Sequence, residues 1–192
     1  MAQRAVFLDR DGTLIEERGY PVRCEDIVPL PGVAEALARL REAGWLCLVL
    51  TNQSAIARGL LDEEQLGVLH EHLQAQLAAR GGGLDGVYWC PHHPEGKAVA
   101  YSFACECRKP REGLLALALA DHDVDLRRSV FIGDSPRDLF PGAGPVTARI
   151  LVRSGHPLAD VSLADHVAER LPAAVEWLLA REAEATLRER GA

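Results

Sequence analysis

The sequence predicts an α/β fold built on a doubly wound, open parallel sheet. Two observations predict it: short runs alternate with longer amphipathic segments along the chain, and the short runs are apolar at nearly every position. A parallel strand that is covered on both faces needs such a run, because its side chains point alternately into two cores. With 192 residues, the chain has the length of one ordinary domain, and we expect residues 1–192 to form it.

The ends of the predicted strands suggest where a site lies. The strands are residues 5–9, 45–52, 86–90, 129–134 and 148–152. In open α/β sheets, ligands bind outside the carboxyl ends of the strands. Four of these ends carry polar or reactive side chains: Asp9, Thr51 with Asn52, Cys90, and Asp134. This pattern predicts a functional site along that edge of the sheet.

Amphipathic segments between and after the strands predict four helices, at residues 31–44, 62–83, 111–122 and 171–190. The first begins at Pro31 and ends at Gly44, as the residue preferences of helix ends favour. The second begins with acidic residues and ends in Arg80 and three glycines, which suits both the helix dipole and a C-terminal cap.

Charge and composition exclude several classes of partner. The net charge of −7 argues against general binding of nucleic acid or of an anionic membrane surface. No apolar run approaches a membrane span, and the N-terminus lacks a signal-peptide pattern. The five cysteines are odd in number and three fall in one short segment, which fits a reducing compartment and a metal site. We therefore expect a cytoplasmic protein, with a monomer as the default state.

The stretch FLDRDGTL places two carboxylates, Asp9 and Asp11, at the first strand end. A divalent cation would make such a pair tolerable, and hard oxygen ligands favour magnesium, with Asp134 as a third carboxylate. Asp9 could attack phosphorus as a nucleophile, while Asp11 could protonate the leaving oxygen and later activate water. Thr51 offers a hydroxyl donor and Lys109 a positive charge to the transferred phosphoryl group.

As a set, D-x-D-G-T, Thr51, Lys109 and GDSPRD resemble the four motifs of haloacid dehalogenase superfamily phosphatases. The resemblance implies a Rossmann-like fold with a minimal cap and an aspartyl-phosphate intermediate on Asp9. It also implies Mg²⁺ bound by Asp9, the backbone carbonyl of Asp11, and Asp134. Asp138 then either supports the water shell of the metal or orients its neighbours.

The segment 90–110 carries the spacing C-x-H-x12-C-x-C, formed by Cys90, His92, Cys105 and Cys107. Three thiolates and an imidazole make a closed tetrahedral set that suits structural Zn²⁺. Zinc would stabilise a long loop that leads directly into Arg108 and Lys109. His93 is the alternative ligand, and the sequence favours His92.

The substrate is suggested by TNQSAIARG, ERGY and CPHHPEG, which resemble a zinc-loop branch of the superfamily that acts on a heptose bisphosphate. The resemblance implies removal of the 7-phosphate of D-glycero-D-manno-heptose 1,7-bisphosphate. It also implies substrate contacts, in addition to the catalytic residues, from Arg10, Glu17, Arg18, Gly19, Tyr20, Asn52, Gln53, Ser54 and Arg108. Histidinol phosphate or another small phosphomonoester is the alternative substrate, and a non-catalytic zinc-stabilised binding module is the third hypothesis.

Three departures from the family pattern bear on these expectations. Ala55 replaces a usual glycine, and Ser135 stands where the heptose branch often has a lysine. The family also carries an Ala-rich helix after the GDxxxD motif, whereas here Pro141, Gly142, Gly144 and Pro145 should end that helix early.

Overall fold

The computed structural model describes residues 2–157 and 160–190. Within them, six strands form one parallel sheet in the spatial order β3-β2-β1-β4-β5-β6. They are β1 (Arg4–Leu8), β2 (Trp45–Asn52), β3 (Gly86–Cys90), β4 (Val130–Gly133), β5 (Ala148–Val152) and β6 (His166–Ala168). The predicted α/β class and parallel sheet are confirmed. The sequence analysis missed β6, a three-residue edge strand whose first two residues are half-buried.

The sheet separates two cores because successive side chains of a strand point to opposite faces. In β1, Val6 and Leu8 enter one core, while Ala5 and Phe7 enter the other. The first core is covered by α1 (Val33–Glu42), α2 (Glu63–Ala78) and α4 (Leu171–Arg190). The second is covered by α3 (Gly113–Asp121).

Helix α2 is fixed at its start by a capping box. The carboxylate of Asp62 accepts a hydrogen bond from the backbone N–H of Gln65 at 2.8 Å, and the Gln65 side chain accepts one from the Asp62 N–H at 2.9 Å. The helix buries Leu66, Leu69, His70 and further leucines against the sheet. His70 is the one polar member of that buried set, and it lies next to the site described below.

The segment after β4 forms only a short 3₁₀ helix, Pro136–Leu139, as the predicted helix break requires. Phe140, the residue after it, has a φ of +43°, a left-handed conformation that cannot continue a right-handed helix. Cys90 is the last residue of β3, and the segment between β3 and α3 carries Cys105, Cys107 and a 3₁₀ helix, Val99–Tyr101. No helix in the described residues is both long enough and apolar enough to span a membrane.

Candidate active site

Asp9 and Asp134 meet where two neighbouring strands end. Asp9 follows β1 and Asp134 follows β4, and these strands pair with Leu8 opposite Ile132. The backbone N–H of Asp9 donates to the carbonyl of Ile132 at 3.0 Å, so the pairing continues to the strand tips. One carboxylate oxygen from each of Asp9, Asp134 and Asp138 lies within 4.8 Å of the other two. All three residues are buried.

Lys109 supplies the cation of this cluster. Its Nζ lies 2.7 Å from Oδ1 of Asp9 and 2.7 Å from Oδ1 of Asp138, and it donates to the carbonyl of Leu50 at 2.6 Å. Burial alone would lower the pKa of Lys109, but the charges of Asp138 and Asp9 outweigh it and raise the pKa. Lys109 is therefore protonated, and its ammonium lies against the carboxylate of Asp9, the predicted nucleophile.

One lysine cannot neutralise three buried carboxylates. Burial raises the pKa of Asp138 to about 7, and Asp9 and Asp134 act in the same direction, although Lys109 opposes them. A divalent cation would relieve this excess of negative charge. The donors are hard oxygens, the set that suits Mg²⁺. The residues present therefore fit the metal that the sequence predicts.

Gly12 allows the loop after β1 to pass close to Asp134. Its φ is +73°, and a Cβ built on it would lie 2.5 Å from Oδ2 of Asp134 and 2.7 Å from Cα of Gly155. Only glycine is compatible with both the backbone conformation and this approach. The Ser154 hydroxyl also donates to the carbonyl of Gly12 at 2.7 Å, which ties the loop after β5 to the same turn.

Asp11 is held by two side chains. The Arg10 guanidinium donates to Asp11 through Nε at 3.1 Å and Nη2 at 3.0 Å, and Gln53 Nε2 donates to Oδ2 of Asp11 at 2.8 Å. Gln53 Nε2 also lies 2.8 Å from Oγ1 of Thr51, and its Oε1 accepts from Arg10. Asp11 and Thr51 are thus connected through one amide.

This arrangement corrects the expectation for Arg10. We expected Arg10 to contact substrate, but its side chain is 0% exposed and does not line the cavity, since it lies behind Asp11. Arg18 also lies away from the cavity, where its guanidinium pairs with Glu16 at 2.6 Å on the surface. The Gln53 side chain faces the cavity, yet its amide is already bonded by Asp11, Thr51 and Arg10 rather than free for a sugar hydroxyl.

The carboxylates open into a cavity of about 280 Å³. Most of the residues predicted from the sequence line it: Asp9, Asp11, Glu17, Gly19, Tyr20, Thr51, Asn52, Gln53, Ser54, Arg108, Lys109 and Asp134. The sequence analysis did not assign three further lining residues, Arg58, Arg137 and His156. Each had a weak signal, because Arg58 follows the TNQS turn, Arg137 lies inside GDSPRD, and His156 follows the carboxyl end of β5.

His156 and Glu17 lie on the acidic side of the cavity. Nδ1 of His156 lies 2.8 Å from Oδ2 of Asp134, and this hydrogen bond raises the pKa of the imidazole. Burial likewise raises the pKa of Glu17. Glu17 and His156 lie in the loops after β1 and β5, and one ligand atom of each lies within 4.8 Å of an Asp134 carboxylate oxygen.

Arg58, Arg108 and Arg137 give the cavity a cationic side. Burial lowers the pKa of Arg108, and the charges of Arg137 and Arg58 lower it further. None of the three pairs with a carboxylate among the described residues; Arg108 donates to the carbonyl of His92 at 3.1 Å, and Arg58 lies over the Tyr20 ring at 5.2 Å. Mutually repelling guanidinium groups around one cavity favour an anionic ligand.

The four predicted zinc ligands are together. The sulfur of Cys107 lies 3.2 Å from that of Cys90 and 3.3 Å from that of Cys105, and Nδ1 of His92 lies 3.3 Å from it. These sulfur distances are far longer than a disulfide bond. Three thiols and an imidazole in mutual contact are a donor set that suits Zn²⁺. His93 instead lines the cavity.

The cysteine segment reaches the site through Lys109. Oδ1 of Asn52 accepts from the backbone N–H of Lys109 at 3.0 Å, and the amide of Asn52 donates to the carbonyl of Lys109 at 3.3 Å. These two hydrogen bonds to the end of β2 fix the backbone from which the Lys109 side chain enters the site. Asn52, expected to contact a sugar, therefore also holds the backbone of Lys109 in place.

Known proteins resemble the chain along most of its length. A family model described as haloacid dehalogenase-like hydrolase matches residues 16–140. The D-glycero-D-manno-heptose-1,7-bisphosphate 7-phosphatase of Thermosynechococcus vestitus is 44% identical over 93% of this chain and 96% of that protein. The D-glycero-beta-D-manno-heptose-1,7-bisphosphate 7-phosphatase of Haemophilus influenzae is 40% identical over 88% of this chain and 92% of that protein. The crystal structure of a D,D-heptose 1,7-bisphosphate phosphatase from B. bronchiseptica, complexed with magnesium and phosphate, is 34% identical with a TM-score of 0.78, and covers 93% of this chain and 99% of that one.

Proposed function

The chain belongs to the haloacid dehalogenase-like hydrolase family and is a phosphatase, and from this premise we propose that it removes the 7-phosphate of D-glycero-D-manno-heptose 1,7-bisphosphate. The observation that carries the proposal is the meeting of Asp9, Asp134 and Lys109 at the tips of β1 and β4. The relatives named above support the substrate. The rest of the proposal concerns what each side chain does.

The Asp9 carboxylate attacks the phosphorus atom of the 7-phosphate. The bond between phosphorus and the C7 oxygen breaks, and Asp11 gives that oxygen its proton. Asp11 then takes a proton from water, whose oxygen attacks the phosphorus of the aspartyl phosphate and releases inorganic phosphate and free Asp9. Lys109 and the Thr51 hydroxyl stabilise the charge on the transferred oxygens.

Mg²⁺ would be held by Asp9, the backbone carbonyl of Asp11, and Asp134, and when bound it neutralises negative charge on the phosphoryl group. The excess of buried carboxylate over Lys109 supports this assignment. Asp138 orients Lys109, because its Oδ1 lies 2.7 Å from Nζ while its Oδ2 accepts from the backbone N–H of Ser135 at 2.9 Å.

The second phosphate of the substrate distinguishes a bisphosphate from other phosphomonoesters. Arg58, Arg108 and Arg137 offer it three guanidinium groups that have no carboxylate partner among residues 2–157 and 160–190. Histidinol phosphate carries an amine and no second phosphate, so this cationic side would repel it. Glu17, Tyr20 and Ser54 remain as candidates for contacts with the sugar.

Zn²⁺ on Cys90, His92, Cys105 and Cys107 stabilises the loop at about 90–110 and has no part in the chemistry. We place residues 1–192 in one domain, of which residues 1, 158–159 and 191–192 lie outside the described residues. The protein acts as a cytoplasmic monomer on a small phosphorylated sugar, without nucleic acid or membrane as a partner.

Phosphate release tests the proposal. The protein with Mg²⁺ is assayed on both anomers of the heptose bisphosphate and on histidinol phosphate, with Asp9→Asn as the inactive control. We expect the bisphosphate to have a kcat/KM at least about 100-fold above that of histidinol phosphate, and a product that keeps its 1-phosphate. A preference for histidinol phosphate would refute the substrate. Phosphate release that is unchanged in Asp9→Asn would refute the mechanism.

A further inference from the structure

We propose that His70 is a positioning residue for Asp11, acting through Arg10. The inference rests on the proposed function, because it assumes that Asp11 exchanges a proton with the substrate. It assigns a role to a residue of α2 that lies outside every motif of the chain. His70 lines no part of the cavity and touches no reacting atom.

The Arg10 guanidinium connects His70 to Asp11. Nη1 of Arg10 lies 3.2 Å from Nε2 of His70, while Nε and Nη2 of the same guanidinium donate to the Asp11 carboxylate. The fork-like pairing of Arg10 with Asp11 is planar, so the orientation of the guanidinium sets the orientation of the carboxylate. His70 is the partner of Nη1, on the side opposite Asp11, while Gln53 accepts from Nη2. His70 and Gln53 together thus hold the plane of the guanidinium.

Only one tautomer of His70 fits this contact. Because an arginine can only donate, Nε2 must accept, and the ring must be neutral with its hydrogen on Nδ1. Burial, with the charge of Arg10, lowers the pKa of His70 to about 3, which agrees with a neutral ring. Nδ1 itself has no hydrogen-bond partner among the described residues.

The unpaired Nδ1 argues that packing alone does not explain His70. A buried polar atom without a partner is unfavourable, and an apolar residue at this place in α2 would avoid it. The neighbouring buried positions Leu66, Leu69 and Leu73 are leucine. The centre of the Trp89 ring lies 5.4 Å from that of the imidazole. The feature that distinguishes His70 from these leucines is the acceptor it offers to Arg10.

The dependence of the rate on the leaving group separates this role from a purely structural one. A sugar phosphate leaves as an alkoxide and needs a proton from Asp11, whereas 4-nitrophenyl phosphate has a good leaving group and needs little help. The value of kcat/KM for each substrate reports transfer of the phosphoryl group to Asp9. The ratio of the two values therefore reports the help that Asp11 gives to the leaving group, and it is independent of the fraction of folded enzyme.

The test compares His70→Leu, which removes the acceptor, with His70→Gln, whose amide oxygen can accept from Arg10. We expect His70→Leu to lower the sugar phosphate to 4-nitrophenyl phosphate ratio about 10-fold, and His70→Gln to restore most of it. Leu73→Ala is the matched control, because it removes a buried side chain from the same helix without contact to Arg10; it should lower the Tm and leave the ratio unchanged.

Each outcome decides the proposal. An unchanged ratio in His70→Leu, or no recovery in His70→Gln, overturns the positioning role while the proposed function stands. A wild-type enzyme that prefers a sugar phosphate other than the heptose bisphosphate overturns the proposed substrate alone, since the ratio is then measured on the preferred one. A wild-type protein that releases no phosphate from any of these substrates overturns both.

Discussion

At the scale of single residues, Lys109 decides the charge balance of the site. Replacing it with methionine would leave Asp9 and Asp138 buried without their shared cation, and removal of one partner from a buried pair costs about 3–5 kcal/mol. We expect Lys109→Met to lower the free energy of unfolding by about that amount and kcat/KM by about 1,000-fold. Urea unfolding and phosphate release measure the two effects. Lys97, the other lysine of the chain, is exposed, and Lys97→Met should change neither stability nor kcat/KM. Equal losses in both variants would contradict the role of Lys109 in the charge balance.

His70 predicts a pH dependence of stability. Its pKa is about 3 in the folded protein and about 6.5 in the unfolded chain, so below pH 6.5 the unfolded chain binds a proton that the folded protein does not. Stability is therefore lost as the pH falls from 6.5 towards 3, by about 2 kcal/mol between pH 7 and pH 5. Arg10 is the charged group that acts on the ring, and it stays protonated throughout. Urea unfolding at both pH values should show a difference that is about 2 kcal/mol smaller in His70→Gln; an identical difference would exclude a buried neutral imidazole.

The sequence could predict the proximity of those site residues whose place is set by a general rule of the fold. Asp9 and Asp134 stand at strand ends, and parallel strands place their carboxyl ends on one edge, so their proximity could be predicted without coordinates. The position of Arg10 could not be predicted in this way, because the family resemblance placed it among the substrate contacts and no rule of the fold indicated that its side chain is buried. Its buried side chain contacts His70, sixty positions later, and no local pattern connects two residues so far apart.

At the scale of elements, the segment from the end of β3 to α3 carries a cluster that could hold zinc. It holds Cys90, His92, Cys105 and Cys107 within contact distance and then delivers Lys109 to Asp9. We expect Cys105→Ser to lose bound zinc, to lower the Tm, and to reduce kcat/KM more than about 10-fold, because the Lys109 backbone loses its support. Cys24→Ser, a half-buried cysteine outside the cluster, is the control. Zinc content and phosphate release are measured on the same samples, and full activity without zinc would contradict the structural role.

Two elements show what sequence patterns can and cannot reveal. Proline and glycine residues after Asp138 predicted the helix break, since proline cannot continue a helix and glycine weakens one. β6 gave no comparable signal, because three residues with a half-buried histidine lack both the length and the apolar run of the inner strands. It is an edge strand, which gains its structure from pairing with β5 rather than from its own sequence.

At the scale of the whole molecule, the site lies where the order of the strands reverses. The chain runs outward from β1 through β2 to β3 and then returns to β4 on the other side of β1. The loops after β1 and β4 therefore leave in opposite directions and open a crevice between them. Asp9 and Asp134 flank this point, while Lys109 arrives from the β3 side of the sheet. The acidic cluster and its cation thus come from three separate parts of the chain, which meet where β1 pairs with β4 and where the backbone of Lys109 bonds to Asn52 of β2.

Magnesium should therefore stabilise the entire fold. A ligand that binds only the folded state adds about 2.7 kcal/mol at 100 times its Kd, and each kcal/mol raises the Tm of a chain of this size by about 2–4 °C. We expect saturating Mg²⁺ to raise the Tm by about 5–10 °C, measured by calorimetry on zinc-loaded protein. Asp134→Asn should lose most of this shift, because it removes a carboxylate at the junction of β1 and β4. Asp160→Asn, at an exposed position, should keep it. Equal shifts in the two variants would show that Mg²⁺ binds elsewhere, and the carboxylates of β1 and β4 would then need another cation to balance their charge.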